Sequence, residues 1–192
     1  VYRAEATFVG LTVWDLYSAL NSPAMVRRWN AALDDATLIQ DLGGQSAVWH
    51  VRYAPAWLAQ ARDATLVQTA YQSPTSIHVF SFSADEHISE LPAPAPGTVR
   101  MQVDLCGWSI EALSPTTVHV TLVEQSDPRG WLSKTRTPPQ MIVAMAGAGE
   151  HVLRHGAPPC ISRLFNARVQ TQAYGEDSFD VSYVAAACDA PD

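Results

Sequence analysis

His151 and His155 are the residues whose spacing most suggests chemistry, four apart in the stretch PPQMIVAMAGAGEHVLRH (138–155). On a helix that spacing puts both imidazoles on one face, as a metal site would need. The order Glu150-His151 is not the His-Glu-x-x-His of zinc proteases, so a polar helix end is the better reading. Acid pairs Asp34/Asp35 and Glu176/Asp177 are chain neighbours. On a strand, neighbours point to opposite faces and cannot share one substrate as acid and base. Cys106, Cys160 and Cys188 match no zinc spacing, and there is no Gly-x-Ser-x-Gly elbow and no phosphate-binding loop. No catalytic residue, metal or cofactor is therefore expected, and the chain is expected not to be an enzyme.

The bulk composition narrows the alternatives. The 192 residues suit one domain, or one domain with an appendage, and the 47% hydrophobic content can build a core and a lined cavity. The net charge is −7, and Lys134 is the only lysine. Nucleic acid is thereby excluded as a partner, and strong docking on anionic membranes is disfavoured, because both need clustered basic residues. An odd number of cysteines suits free thiols in a reducing compartment, so a cytoplasmic location is expected. No apolar run approaches the roughly 18 residues of a membrane span. The opening VYRAEATFVG reads as a strand rather than a signal peptide, so the chain is expected to be a piece of something longer.

The elements that must position any site follow from periodicity. Residues 1–9 read as a strand and 12–21 as a helix, with Thr12 as N-cap, Asp15 three residues on, and Val13, Leu16, Tyr17 and Leu20 as its apolar stripe. Asn21-Ser22-Pro23 stops it and starts a shorter helix through Trp29. Strands follow at 36–42 and 46–53, joined at Gly43-Gly44, then at 64–72, 75–83, 98–104, 107–113 and 116–125. Alternation puts Trp49, Val51 and Tyr53 opposite His50 and Arg52, and Val99, Met101 and Val103 opposite Arg100, Gln102 and Asp104. The period then changes to helical over 138–155, where Met141, Met145, Ala148 and Val152 recur on one face and Ile142 widens it. Gly147 and Gly149 interrupt that helix, either to let it bend or to let it approach the sheet closely. A closing hairpin is expected at 167–186, and residues 84–97 form a Pro-rich loop. The order predicts an α+β fold, with a curved antiparallel β-sheet wrapped around a long C-terminal helix.

Four stretches in order carry a resemblance to a known family: WNAALDDATLIQDLGG (29–44), ARDATLVQ with its Arg62-Asp63 pair (61–68), GTVRMQVDLCGWSIEAL (97–113) and VEQSDPRGWL (123–132). Together they resemble the START domain, the StAR-related lipid transfer module with the helix-grip fold. The resemblance covers residues 1–157 and leaves 158–192 as a C-terminal extension. It implies that the chain binds one hydrophobic lipid, of sterol or phospholipid class, in an internal cavity for intracellular transfer or sensing. It implies no cofactor and at most transient membrane contact. The chain lacks the first helix and first two strands usual in the family, and the 167–186 hairpin is expected to fill that edge.

By the same resemblance, Arg62 sits at the family's cavity-facing arginine and Asp35 at the acidic position that pairs with it. Asp34 takes its place if the register slips by one. A charge in an apolar cavity is costly unless paired, and a pair can anchor a lipid's polar end. Trp49, Val51, Tyr53, Val99, Met101, Val103, Trp108 and Ile110 are the strand residues expected to line the cavity, although plain core packing would use the same residues. Met141 and Met145 belong to the helix expected to close it. Two other readings stand beside the carrier: a helix-grip enzyme of cyclase type, which needs a titratable residue beside Arg62, and a regulatory module with a filled interior.

Overall fold

The structure is a computed structural model that describes residues 1–55, 60–84, 91–94, 96–130 and 137–156. The chain divides into two compact units, Val1–Pro158 and Pro159–Asp192. The second unit, and with it the hairpin expected at 167–186, lies outside the described residues.

The described chain runs β1 (Tyr2–Val9), α1 (Val13–Leu20), α2 (Pro23–Val26), β2 (Leu33–Gly43), β3 (Ser46–Tyr53), β4 (Ala61–Gln72), β5 (Ser76–Ser83), β6 (Thr98–Arg100), β7 (Gln102–Ser114), β8 (Thr117–Asp127) and α3 (Thr137–His155). The α1 cap is the expected capping box. The Asp15 backbone N–H donates to Thr12 Oγ1 at 3.1 Å, and the Thr12 N–H donates to Asp15 Oδ2 at 2.8 Å. Ser22 caps the short α2, with Pro23 at its first position. The helix expected to run through Trp29 stops at Val26. The chain then turns, and the Trp29 indole N–H donates to the Ala19 carbonyl at 2.9 Å.

Among the described residues eight strands form one sheet: seven run in the order β1-β8-β7-β5-β4-β3-β2, antiparallel throughout, and β6 lies off that path beside β4. The β2–β3 hairpin turns on Gly44 and Gln45, both at positive φ, because Gly43 still pairs with Ser46. Two consecutive positive φ values are what a two-residue type I′ turn requires. The strand expected over 98–104 is two elements. β6 runs parallel to β4, with Arg62 beside Val99 and Asp63 beside Arg100. The chain then pivots at Met101, whose N–H donates to the Asp63 carbonyl at 2.9 Å, and β7 begins at Gln102. The pivot is possible because β5 pairs with β4 only from Leu66 onward, which leaves the edge at Ala61–Asp63 open to β6.

The core sits on the face of the sheet that receives α1. Leu16 of α1, Ile77, Ile110, Val118 and Val120 are each at most 1% exposed. Burial of each such side chain contributes about 1.5–3 kcal/mol. On α3, Met141, Met145, Ala148 and Val152 are buried as expected. Ile142 is not: it is 64% exposed and points away from that face, with Val143 beside it. A step of one residue turns a helix by roughly 100°, which carries Ile142 out of the stripe that Met141 and Met145 define.

Gly149 has a packing role. A Cβ built there would lie 2.2 Å from Phe8 Cε1 and 2.7 Å from Cδ1, so α3 can lie against β1 only without a side chain at this position. Gly149→Ala would gain helix propensity in isolation. Here it is expected to destabilise the fold by about 1–3 kcal/mol through overpacking against the Phe8 ring, read as a lower urea midpoint at unchanged m-value. A gain in stability would show that the ring moves aside freely.

Candidate functional site

Register decides which side chains meet. Across β3 and β4 the pairs are Trp49 with Leu66, Val51 with Ala64, and Tyr53 with Arg62, so all six share one face. That face is internal: Leu33, Val51, Ala64, Leu66 and Val103 form a buried cluster, with Trp49, Tyr53, Met101 and Cys106 packed against it. Val99 joins through its pairing with Arg62. Residues Trp49, Val51, Tyr53, Arg62, Val99, Met101 and Val103 are thus brought together at one end of the sheet's inner face. Trp108 and Ile110 continue the same face toward α1, through the pairs Val79–Trp108 and Ile77–Ile110. Ile110, fully buried among Ile77 and Val120, belongs to the solid core rather than to an open wall. Met141 and Met145 are buried on α3, which packs against α1 and β1.

Arg62 and Asp35 do not pair. Arg62 is 6% exposed, and its guanidinium donates to three backbone carbonyls: Gln60 from Nη1, Pro128 from Nε at 3.3 Å, and Arg129 from Nη2 at 3.2 Å. Asp35 lies on the opposite face of the sheet, in register with Arg52. There Asp35 accepts from Arg27 Nη1 at 3.5 Å and from Thr37 Oγ1 at 3.4 Å. Asp34 does not substitute for it, since it accepts from Arg52 Nε at 2.8 Å. The physical reason is the irregularity between Leu33 and Asp35, which leaves Leu33 and Ala36 on the inner face and turns both acids away.

The outer face carries a buried charge cluster. Asp63 is fully buried and accepts from Arg100 through both oxygens at 2.9 Å, from Nε to Oδ1 and from Nη2 to Oδ2. His50 Nε2 lies 2.9 Å from the same Oδ2, and Arg100 Nη2 also donates to the Pro92 carbonyl at 2.8 Å. Burial alone would raise the Asp63 carboxyl, but the Arg100 and His50 interactions outweigh it and hold it below its ordinary 3.8. His50 is on the outward face, as alternation requires. It is committed to Asp63 there, across the sheet from Arg62.

Three inner-face residues escaped the sequence reading as a group. Cys106 pairs with Glu124, and Tyr53 feels the charge of both. Burial pushes the Tyr53 hydroxyl up, and burial with the nearby Glu124 charge pushes the Cys106 thiol up to about 12. Burial also raises the Glu124 carboxyl, against the Ser126 hydroxyl that donates to Oε1 at 2.8 Å. All three keep accessible surface despite this desolvation. The available signal was parity: Val118, Val120, Leu122 and Glu124 occupy the same face of β8. A separate hollow of about 440 Å³ opens at the ends of β1, β7 and β8; its wall is polar, with Gln102, Asp104, Gln125, Ser126 and Arg129, and includes none of Tyr53, Cys106 and Glu124. Because only the thiolate is nucleophilic, Cys106 is expected to alkylate far more slowly in the native protein than in urea at about pH 8, measured by peptide mass mapping. Equal rates would mean that its environment is not desolvating.

Among the described residues, no group of three or more His, Cys, Asp or Glu could hold a metal ion, and no helix is long and apolar enough to cross a membrane.

The START domain family model matches residues 3–144. Among solved structures, human STARD10 superposes with a TM-score of 0.70 at 18% identity, over 80% of this chain and 63% of that one. Human StAR-related lipid transfer protein 5 gives 0.69 at 19%, over 79% and 74%. A STAR-related lipid transfer protein from Xanthomonas axonopodis gives 0.61 at 15%, over 79% and 84%. None of the curated proteins matches the sequence.

Proposed function

We propose, from the premise that this chain belongs to the START domain family, that it carries one lipid of sterol or phospholipid class in the recess on the sheet's inner face. The observation that carries this reading is the family match over residues 3–144, together with the register that gathers the half-buried Trp49, Tyr53, Met101 and Cys106 around the inner-face cluster. Arg62, held by its three carbonyls, shares that end of the inner face with Trp49, Val99, Met101 and Val103, which would supply the apolar lining. Such a mixture of apolar surface and a few polar groups suits a lipid with one polar end. The reading as a carrier or sensor rather than a catalyst is supported by His50, which is held by Asp63 on the outer face, across the sheet from Arg62.

Loading from a bilayer needs transient membrane contact, for which Ile142 and Val143 on α3 offer exposed apolar surface. The free thiol of Cys106 fits action in the cytoplasm, and the net charge of −7 fits a partner other than nucleic acid. Native mass spectrometry of the purified protein, followed by lipid extraction, tests the reading. One lipid class at near one-to-one occupancy is the expected result. Empty protein that also takes up neither a fluorescent sterol nor a fluorescent phospholipid would leave an interaction module as the better account.

A further inference from the structure

We propose that His151 and His155 on α3 form a two-point site for a divalent, imidazole-binding metal ion, with Zn²⁺ the ion that their spacing fits best. The site lies apart from the sheet's inner face and is independent of the carrier reading.

The pair occupies the last turns of α3, which ends at His155. Residues four apart on a helix project from one face, one above the other. The two ring centroids are 5.1 Å apart, with the planes tilted by 44°. With metal–nitrogen bonds of about 2.0–2.1 Å, two imidazoles on one ion have centroids roughly 4.5 Å apart at a right angle and roughly 5.2 Å apart at a tetrahedral angle. The pair on α3 stands at the tetrahedral end of that range, which is the geometry of zinc. Rotation about each Cβ–Cγ bond, a broad torsion, then aims the nitrogens at one point. Three other histidines are engaged: His50 with Asp63, His78 with Ser76, and His119 with Thr7. Among the described residues, neither His151 nor His155 has a hydrogen-bond partner. His155 is exposed and His151 half-buried, so an ion reaches both from solvent and keeps water in its remaining positions. The partial negative charge at a helix C-terminus favours a cation there. One group opposes it. Gly147, a turn before His151, lets Trp29 lie against α3, since a Cβ there would be 3.2 Å from Trp29 Cε3. Arg28, the next residue, acts on His151 with like charge and lowers the affinity. Arg154 is offset by Glu150 at 3.0 Å. With two protein ligands and one repulsion, the ion is exchangeable rather than structural.

Calorimetric titration of Zn²⁺ into the full chain, made without an affinity tag, tests this. One ion per chain is expected. His155→Asn should weaken binding by about tenfold or more, because the second imidazole closes on an ion already held by the first. Leu153→His combined with His155→Leu keeps all six histidines but carries the second ring to the far side of the helix, and it should bind as weakly as His155→Asn. Both altered positions are exposed, so both variants should fold. Zn²⁺ should also raise the thermal midpoint of the wild type, and of neither variant, because the unfolded chain does not hold the two rings together. Failure of the wild type to bind Zn²⁺, or unchanged affinity in either variant, overturns the proposal. Ions held elsewhere on this acidic chain would survive both changes, so that outcome also counts against it.

Discussion

Asp63→Ala is expected to lower the unfolding free energy by about 3–5 kcal/mol, the cost of stripping one partner from a buried ion pair. The carboxylate is fully buried, and its removal abandons both nitrogens of Arg100 that now grip it, together with His50 Nε2. Arg100 also ties Pro92 to the sheet, so the start of β6 should loosen with it. Asp63→Asn should recover only part, because an amide presents one acceptor oxygen where two are used. The double variant Asp63→Ala/Arg100→Ala should cost less than the sum of the single changes. The sign of the pH effect follows from the lowered carboxyl. A group whose folded value lies below its unfolded one stabilises the fold above the ordinary 3.8, and that contribution fades as pH falls through the folded value. The alanine variant should lack this acid-dependent component in urea titrations. A loss under about 1 kcal/mol, the scale of ordinary substitutions, would mean that the cluster contributes no net stability.

Arg62→Leu is expected to cost about 3 kcal/mol, since three carbonyls lose a charged donor at once. For a chain of this size that corresponds to roughly 6–12 °C in Tm. The Pro128 and Arg129 carbonyls lie 66 and 67 residues along the chain from Arg62, so the link fixes the turn after β8 to the start of β4. Arg62→Lys should recover little, because a single ammonium cannot reach carbonyls that Nε, Nη1 and Nη2 serve from one planar fork. The lysine variant should also retain less co-purified lipid. Full stability in that variant would show that positive charge alone suffices there.

Much of the fold was legible in the chain. The α1 capping box, the β2–β3 hairpin and the buried stripe of α3 each depend on residues a few positions apart, whose spacing states the geometry directly. Alternation correctly set His50 against Trp49 and Tyr53. Ile142 failed because adjacency in a helix is not adjacency in space. The strand 98–104 divided because an unoccupied stretch of β4 drew Thr98–Arg100 into parallel pairing, which no local pattern announces.

The sequence by itself determined the elements, the two-residue alternation that separates Arg62 from Asp63, and the family. Only the tertiary structure decided the partners. Asp63 took Arg100, Arg62 took three carbonyls, Asp35 turned outward to Arg27, and Glu124 came to share the inner face with Cys106 and Tyr53. The reason is physical. Local structure follows from sterics and hydrogen bonds within a few residues, whereas the company a charge keeps depends on strand register across the sheet, where one bulge or pivot moves a side chain to the other face.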